Sequence, residues 1–161
     1  MKPKFKTGIG FDAHILVSNR KLILGGVDIP YKNGLLGHSD ADVLCHAIAD
    51  SILGAAKLGD IGEFFPDSDP RYKDVSSLFL LSEVKKIIET KNYEIIDIDS
   101  VIVAQAPKLS KYRQNMRENI SSALNIDVDC VGIKASTTEH LGYEGRSEGI
   151  SAFAICMLSR Q

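Results

Sequence analysis

The sequence predicts an α/β (α+β) sandwich: a mixed β-sheet with helices packed on one face and its other face buried against identical subunits. Segments with the pattern of strands alternate with segments with the pattern of helices, which is typical of layered α/β architectures. The last strand segment, residues 150–158, is apolar at nearly every position. Because the helices can cover only one face of the sheet, this strand indicates a homo-oligomer in which a partner covers the other face, although a fully buried central strand would show the same pattern.

Four segments in the first half of the chain have clear local patterns. Residues 5–12 predict a strand, and the Gly25-Gly26 pair between two short apolar runs predicts a hairpin turn. A helix is expected over 40–57, with Ser39 as its N-cap. Two prolines among several acids predict a loop over 60–71. The remaining predicted elements are helices over 76–91 and 111–124 and strands over 95–106, 131–138 and 150–158.

Composition excludes several classes of protein. The 161 residues suit a single domain over 1–161, and a net charge of −2 gives no general field for binding nucleic acid or an anionic membrane. No apolar run approaches the roughly 20 residues of a membrane span, and the basic start leaves no room for a targeting signal, so a cytoplasmic protein is expected unless the sequence is a mature form already trimmed. Cys45, Cys130 and Cys156 are odd in number and widely spaced, which predicts small buried thiols and no disulfide framework.

A carboxylate and two histidines form a candidate metal site. Asp12 and His14 are two residues apart on a predicted strand, so their side chains leave the same face about 7 Å apart. His46 is the best third ligand, because it lies on a polar stripe of the helix over 40–57. An Asp-His-His set suits zinc with one open coordination position, which is the pattern of a catalytic site. A chance Asp-x-His and a solvated His46 remain the alternatives. The stripe comprises Ser39, Asp42, His46 and Asp50.

Three segments could hold a phosphorylated ligand. Residues 60–70 are either a mobile surface loop or a lid whose carboxylates accept hydrogen bonds from sugar hydroxyls. Residues 104–109 either end a strand or present their backbone to a base edge. Residues 134–139 either end a strand or donate three hydroxyls to phosphate, with Glu139 as ligand of a hard cation. Arg146 follows in a glycine-rich turn and is suited to phosphate.

Seven short motifs occur in register along the chain, and together they are specific. The chain resembles the 2-C-methyl-D-erythritol 2,4-cyclodiphosphate synthase family of the non-mevalonate isoprenoid pathway over nearly its whole length. Tyr143, where Phe is expected, and Ser136, where Thr is common, are slight departures. The motifs are Gly-Phe-Asp-Ala-His (10–14), Leu-Gly-Gly-Val-Asp-Ile-Pro (24–30), His-Ser-Asp-Ala-Asp (38–42), Leu-Gly-Asp-Ile-Gly (58–62), Phe-Pro-Asp-Ser-Asp-Pro (65–70), Ala-Gln-Ala-Pro-Lys (104–108) and Lys-Ala-Ser-Thr-Thr-Glu (134–139).

The resemblance implies a homotrimer with active sites at subunit interfaces. It implies one zinc per subunit on Asp12, His14 and His46, a Mg²⁺ or Mn²⁺ on Glu139 with the substrate diphosphate, and His38 and Thr137 as catalytic donors in the transition state. The residues implied for the methylerythritol phosphate end are Asp12, His14, His38, Ser39, Asp60, Ile61, Gly62, Phe65, Pro66, Asp67, Ser68 and Asp69. Those implied for the cytidine and its phosphates, with Tyr143 and Arg146 as further contacts, are Ala104, Gln105, Ala106, Pro107, Lys108, Leu109, Ser110, Ser136, Thr137, Thr138 and Glu139.

The implied reaction is the closure of 4-diphosphocytidyl-2-C-methyl-D-erythritol 2-phosphate to the 2,4-cyclodiphosphate with release of CMP. Two alternatives stay open at this point. A zinc-dependent phosphoesterase would use metal-bound water on the same scaffold and would give a linear phosphate. A non-catalytic trimer would bind an isoprenoid diphosphate in its cavity, where such a ligand could also regulate an active enzyme.

Overall fold

The computed structural model describes residues 4–160, which form one five-stranded mixed sheet, a separate two-stranded hairpin and a layer of helices. The strand order in the large sheet is β4-β1-β7-β5-β6, with β5 and β6 parallel and the other neighbours antiparallel. The strands are β1 (Phe5–Ser18), β2 (Leu22–Leu24), β3 (Val27–Ile29), β4 (Asn33–Leu35), β5 (Tyr93–Val103), β6 (Val131–Ser136) and β7 (Gly149–Arg160). The helices are α1 (Val43–Ala56), α2 (Ile61–Phe64), α3 (Ser77–Glu89), α4 (Arg113–Leu124) and α5 (Gly142–Gly145), with 3₁₀ turns at Pro70–Tyr72, Ser110–Tyr112 and Val128–Cys130.

The sheet has one covered face and one bare apolar face. Helix α1 packs on β1 and β7, α3 packs on α1 and β5, and α4 packs on α3 and β6. Alternate residues of β1 and β7 point to the opposite face and are exposed, and the ring centroids of Phe11 and Phe153 lie 4.8 Å apart there. The predicted sandwich, with helices on one face and apolar residues on the other, is therefore confirmed. The exposed apolar side chains of this face are Phe5, Ile9, Phe11, Ile15, Phe153, Ile155 and Met157.

Helix α1 lies unusually close to β1 because two glycines face it. A Cβ at Gly10 would lie 1.8 Å from the carbonyl oxygen of Ala47, and a Cβ at Gly8 would lie 2.1 Å from that of Ser51. Contacts this short are impossible, so any larger residue would push the helix off the strand. Asp12 and His14 follow on the same face of β1. The distance between the strand and the helix therefore sets the distance from these two side chains to residues on α1.

The start of α1 differs from the prediction. The N-cap is Asp42, whose Oδ1 accepts a hydrogen bond from the backbone N–H of Cys45, and Ser39 lies before the helix. The chain cannot be helical earlier, because Asp40 accepts from the N–H of Asp42 in a local turn and Ala41 adopts a φ of 56°. Asp42 is also fully buried, so the predicted polar stripe on the helix was wrong for this residue and for Ser39.

The buried Asp42 joins the hairpin to the helix. Its two carboxylate oxygens accept from the backbone N–H groups of Gly25 and Gly26, at 3.0 and 2.7 Å. Both glycines have positive φ, 54° and 70°, which suits the tight turn that the Gly-Gly pair predicted. The hairpin of β2 and β3 is confirmed, and its turn is held by the carboxylate that caps the start of α1.

The segment predicted as a loop over 60–71 contains short helices. Asp60 caps α2 by accepting from the N–H of Glu63, and Asp69 caps the 3₁₀ turn that begins at Pro70. Asp60, Asp69 and Pro70, which have the character of loop residues in the sequence, are here two N-caps and a first-turn residue. The other predicted elements exist, with ends that differ by a few residues, except β1, which continues six residues beyond its predicted end to Ser18.

The cysteines and helices agree with most expectations from composition. All three cysteines are free, and burial raises the pKa of the Cys156 thiol to about 12. Cys45 is also buried, whereas Cys130 is only half-buried because it ends a 3₁₀ turn at the surface. None of the helices within residues 4–160 combines the length and apolar character that crossing a membrane requires.

Candidate metal centre and substrate pockets

One carboxylate and two imidazoles meet between β1 and α1. Oδ2 of Asp12 lies 2.8 Å from Nε2 of His14 and 3.0 Å from Nδ1 of His46, and the two ring nitrogens are 3.3 Å apart. This is the one group of three or more potential ligands found within residues 4–160, with all its ligand atoms within 4.8 Å of one another. The convergence expected from sequence spacing is therefore observed.

His14 is held with one nitrogen directed at the cluster. Its residue pairs with Ile150 on β7, which fixes the backbone, and its Nδ1 lies 2.9 Å from the carbonyl oxygen of Leu36. A carbonyl can only accept, so Nδ1 carries a proton: the neutral ring presents the lone pair of Nε2 to the cluster, and the protonated ring donates from Nε2 to Asp12. The carbonyl thus selects the tautomer that a metal ligand needs.

His46 is oriented by a chain of hydrogen bonds from α3. Ser77 at the start of α3 donates its hydroxyl to Asp40 in a short hydrogen bond, and the same hydroxyl oxygen lies 2.9 Å from Nε2 of His46. Because the serine proton is directed to Asp40, the serine oxygen accepts from Nε2–H of His46. Nδ1 is then the nitrogen that faces Asp12, and Ser39 gives a second oxygen 3.1 Å from Nε2.

The cluster holds its carboxylate ionised. Burial acts to raise the pKa of Asp12, but hydrogen bonds from His14 and His46 outweigh it and hold that pKa well below its usual range. Burial likewise acts to lower the pKa of His46, and the hydrogen bond to Asp12, with the charges of Asp42 and Asp40, raises it above its usual value. The site is therefore built to keep positive charge beside Asp12, as a proton or as a cation.

The donor set fits a zinc ion. Two imidazole nitrogens and one carboxylate oxygen converge, each imidazole has its other nitrogen engaged by protein oxygen, and a pocket lies on the open side. Three protein ligands with an open fourth position are typical of catalytic zinc.

The metal cluster forms one wall of a pocket of about 380 Å³. Most of the residues predicted for the methylerythritol phosphate end line it. Asp60 and Asp69 do not: Asp60 caps α2, and Asp69 forms an ion pair with Arg71 while its backbone oxygen lies 3.2 Å from Nε2 of His38. The predicted residues that line this metal pocket are Asp12, His14, His38, Ser39, His46, Ile61, Gly62, Phe65, Pro66, Asp67 and Ser68.

A second pocket, of about 520 Å³, lies at the ends of β5 and β6 and shares no lining residue with the metal pocket. Most of the residues predicted for the cytidine end line it, whereas Ala106, Thr138 and Glu139 do not, and we name it the nucleotide pocket. Thr137, predicted as catalytic, belongs to it, whereas His38 belongs to the metal pocket. The predicted residues that line it are Ala104, Gln105, Pro107, Lys108, Leu109, Ser110, Ser136 and Thr137.

Four other predicted site residues lie in the segment after β6. The Glu139 carboxylate accepts from the Thr137 hydroxyl at 3.1 Å, and Thr138 donates its hydroxyl to a backbone oxygen of the same turn. Arg146 forms a two-bond ion pair with Glu148, and Tyr143 lines a small apolar hollow beside His14. Glu139 is exposed and lies next to the nucleotide pocket. The Arg146 guanidinium is already paired with Glu148 of the same chain.

Sequence reasoning missed several lining residues. Gly37, Tyr72 and Leu80 line the metal pocket, and Arg113 lines the nucleotide pocket. Asp50, noted only as part of the stripe, lines the metal pocket and accepts from the N–H of Ile61 at 2.8 Å, which joins α1 to α2. For Asp50, its place one turn after His46 was an available signal. No motif marks the others.

Known proteins match this chain along nearly its whole length. The YgbB family model matches residues 5–159. A Desulforamulus reducens protein named 2-C-methyl-D-erythritol 2,4-cyclodiphosphate synthase is 59% identical over 155 residues, covering 96% of this chain and 99% of the relative. A Clostridium acetobutylicum protein of the same name is 60% identical over 153 residues, covering 95% and 99%.

Solved structures share the fold. The CDP complex of IspF from Plasmodium falciparum superposes with a TM-score of 0.87 at 36% identity, covering 100% of this chain and 99% of that one. The bifunctional IspDF from Campylobacter jejuni gives a TM-score of 0.94 at 43% identity. This chain covers 42% of that longer protein, with 98% of its own length matched.

Proposed function

The chain belongs to the YgbB family, and from that premise we propose how its own residues carry out the reaction of a 2-C-methyl-D-erythritol 2,4-cyclodiphosphate synthase. The enzyme converts 4-diphosphocytidyl-2-C-methyl-D-erythritol 2-phosphate to 2-C-methyl-D-erythritol 2,4-cyclodiphosphate and CMP, in isoprenoid precursor biosynthesis. The observation that carries the proposal is the meeting of Asp12, His14 and His46, with both imidazole tautomers set, at the wall of a pocket.

Asp12, His14 and His46 hold one zinc ion per chain, and Glu139 holds a Mg²⁺ or Mn²⁺ that accompanies the substrate diphosphate. These cations supply positive charge that offsets the repulsion between the two phosphate groups of the substrate. The two protein sites differ in chemistry as the two metals require. Imidazole nitrogen suits zinc, whereas the lone carboxylate of Glu139, exposed beside hydroxyl groups, suits a hard cation.

The reaction is an intramolecular phosphoryl transfer. An oxygen of the 2-phosphate forms a bond to the β-phosphorus, and the bond from that phosphorus to the bridging oxygen breaks, so CMP leaves with the electron pair. The attacking phosphate is already ionised at neutral pH, so no side chain has to remove a proton. The protein's tasks are orientation and hydrogen-bond donation, which we assign to His38 in the metal pocket and Thr137 in the nucleotide pocket.

The two pockets receive the two ends of the substrate. The metal pocket takes the methylerythritol phosphate end, where the N–H groups and carboxylates around α2 meet its hydroxyl groups. The nucleotide pocket takes the cytidine end, as supported by a family relative that was solved as a CDP complex. Contacts of Tyr143, Arg146 and Thr138 with the substrate stay predictions.

A homotrimer accounts for two features of the single chain. The bare face of β1 and β7 exposes large apolar side chains, including Ile9 at 71% and Ile155 at 55% of their maximal accessibility, which calls for a covering partner. In addition, the two pockets share no residue, so the metal pocket of one chain can be completed by the nucleotide pocket of its neighbour. A cytoplasmic location and an isoprenoid diphosphate in the trimer cavity are further predictions.

Phosphorus NMR of the purified protein with its substrate tests the reaction. We expect cyclic diphosphate and CMP in equal amounts, no product after treatment with a chelator, and recovery when zinc and Mg²⁺ are restored. A linear phosphate as product would identify a hydrolase and overturn the proposal. The His46→Ala variant should make no product while light scattering still gives three times the 17.6 kDa mass of one chain.

A further inference from the structure

The nucleotide pocket carries two cations and no acid. Lys108 and Arg113 are the charged side chains among its lining residues, and no Asp or Glu lines it. Lys108 belongs to a motif that the resemblance already assigned to the nucleotide. Arg113, the first residue of α4, belongs to no such motif. Arg113 is therefore a positively charged group in this pocket that has no assigned role in the proposed function.

Arg113 differs from the arginine one helical turn later. The Arg117 guanidinium donates to the backbone oxygens of Val131 and Val128 and contacts Asp129, so it anchors α4 to the start of β6. Within residues 4–160, no hydrogen bond, ion pair or ring contact engages the Arg113 guanidinium. Arg117 is thus structural, and Arg113 is available to a ligand.

The position of Arg113 along β6 indicates which part of a nucleotide it meets. Residues 135–137, at the end of β6, line the nucleotide pocket. Residues 131–134, at the start of β6, line a neighbouring hollow of about 500 Å³. The two hollows share Ser110 and Arg113. Arg113 therefore lies at the end of the nucleotide pocket away from Thr137 and Glu139, where the phosphates are proposed to bind.

We propose that Arg113 is a further binding contact for the pyrimidine end of the nucleotide, with its planar guanidinium stacked on the base. A guanidinium combines charge with a flat face, so it can lie against a nucleobase in a way that a lysine ammonium cannot. This inference rests on the proposed function, because it takes the occupant of the nucleotide pocket to be a cytidine nucleotide. It adds a contact outside the motifs that marked the site.

Calorimetric binding of cytidine and of CDP to the intact protein tests the inference. For Arg113→Ala we expect both ligands to bind about tenfold more weakly, because each loses the same stacking contact. Arg113→Lys should recover little of the loss. Lys111→Ala is the matched control: Lys111 is a neighbouring cation that lies over the Tyr112 ring and lines no described pocket, so its removal should change neither affinity.

Steady-state kinetics give a second readout. Arg113→Ala should raise KM about tenfold and leave kcat within about twofold, since the contact is the same before and during reaction. Weaker binding of CDP with unchanged binding of cytidine would show a phosphate contact and overturn the inference, as would full recovery by lysine or no effect of alanine. If the wild-type protein binds neither ligand and makes no cyclic product, the proposed function itself fails.

Discussion

The metal pocket and the nucleotide pocket prepare for their ligands in opposite ways. In the metal pocket the polar groups are bonded to one another: Asp12 to both histidines, and His46 to Ser77, which in turn donates to Asp40. In the nucleotide pocket the two charged side chains, Lys108 and Arg113, have no partner among residues 4–160.

Under the proposed function, the difference reflects what each pocket would bind. A metal ion needs its ligands fixed to within a few tenths of an ångström, so the protein fixes them through the groups behind them. A nucleotide brings its own charge and a flexible shape, so cations left unpaired can bind it without first breaking an ion pair. Substitutions of the three metal ligands should therefore cost activity, and those of the unpaired cations in the nucleotide pocket should cost affinity.

The largest effect is expected from Asp12→Asn. The amide keeps the shape of the side chain but removes the charge that binds both histidines, so metal content should fall to background and kcat by at least about 10³-fold. Metal analysis and product assays measure the two effects. Asp28→Asn, which removes an exposed carboxylate paired with Lys21, is the control and should keep both metal and activity. An active Asp12→Asn enzyme without metal would break the comparison.

Asp42→Asn should cost stability more than any other single aspartate change in the hairpin region. The fully buried carboxylate of Asp42 accepts hydrogen bonds from the backbone N–H groups of Gly25, Gly26 and Cys45. In asparagine an amide nitrogen replaces one of the two oxygens, so a backbone N–H that had an acceptor would face another N–H donor. We expect a loss of about 3 kcal/mol, which lowers Tm by roughly 8 °C for a chain of this size. Differential scanning calorimetry measures it. A change as small as that of Asp28→Asn would show that the hairpin does not depend on this carboxylate.

A smaller effect is expected at Asp50, which joins the two parts of the metal pocket. Its carboxylate accepts from the N–H of Ile61 and so holds α2 against α1. Asp50→Ala frees α2 and should raise KM about tenfold, with a smaller change in kcat. Asp50→Asn keeps an oxygen acceptor and should lie nearer the wild type. If alanine and asparagine gave the same KM, the hydrogen bond to Ile61 would not be what positions the segment.

Local patterns predicted the parts of the fold that local chemistry decides. The Gly25-Gly26 turn, the apolar strand β7 and the convergence of Asp12, His14 and His46 each follow from patterns along one or two elements. The start of α1 was predicted wrongly, because Ser39 and Asp42 are both good caps and the choice depends on a hairpin that the pattern cannot place beside the helix. The short helices within 60–71 were missed because Asp60 and Asp69 can either cap a helix or lie in a loop, and the local pattern does not distinguish the two.

The site was predictable where motifs mark it and not where folding alone assembles it. The resemblance named most residues of both pockets, since motif residues stay together in sequence. Arg113 lines its pocket because a 3₁₀ turn at Ser110–Tyr112 brings the start of α4 back towards β6. Tyr72 reaches the metal pocket through its edge-to-face contact with Phe65, at 5.2 Å between centroids. Such contacts join residues whose neighbours in the sequence give no sign of it.

The close approach of α1 to β1 has a consequence for engineering. Gly8 and Gly10 leave no slack between the helix and the strand, and the ligands that follow on the strand inherit the same spacing to His46. The preference of this centre for one ion over another therefore cannot be retuned by sliding or tilting the backbone. A designer who wants a different ion must exchange donor atoms at the three positions, because the backbone fixes the distances between them.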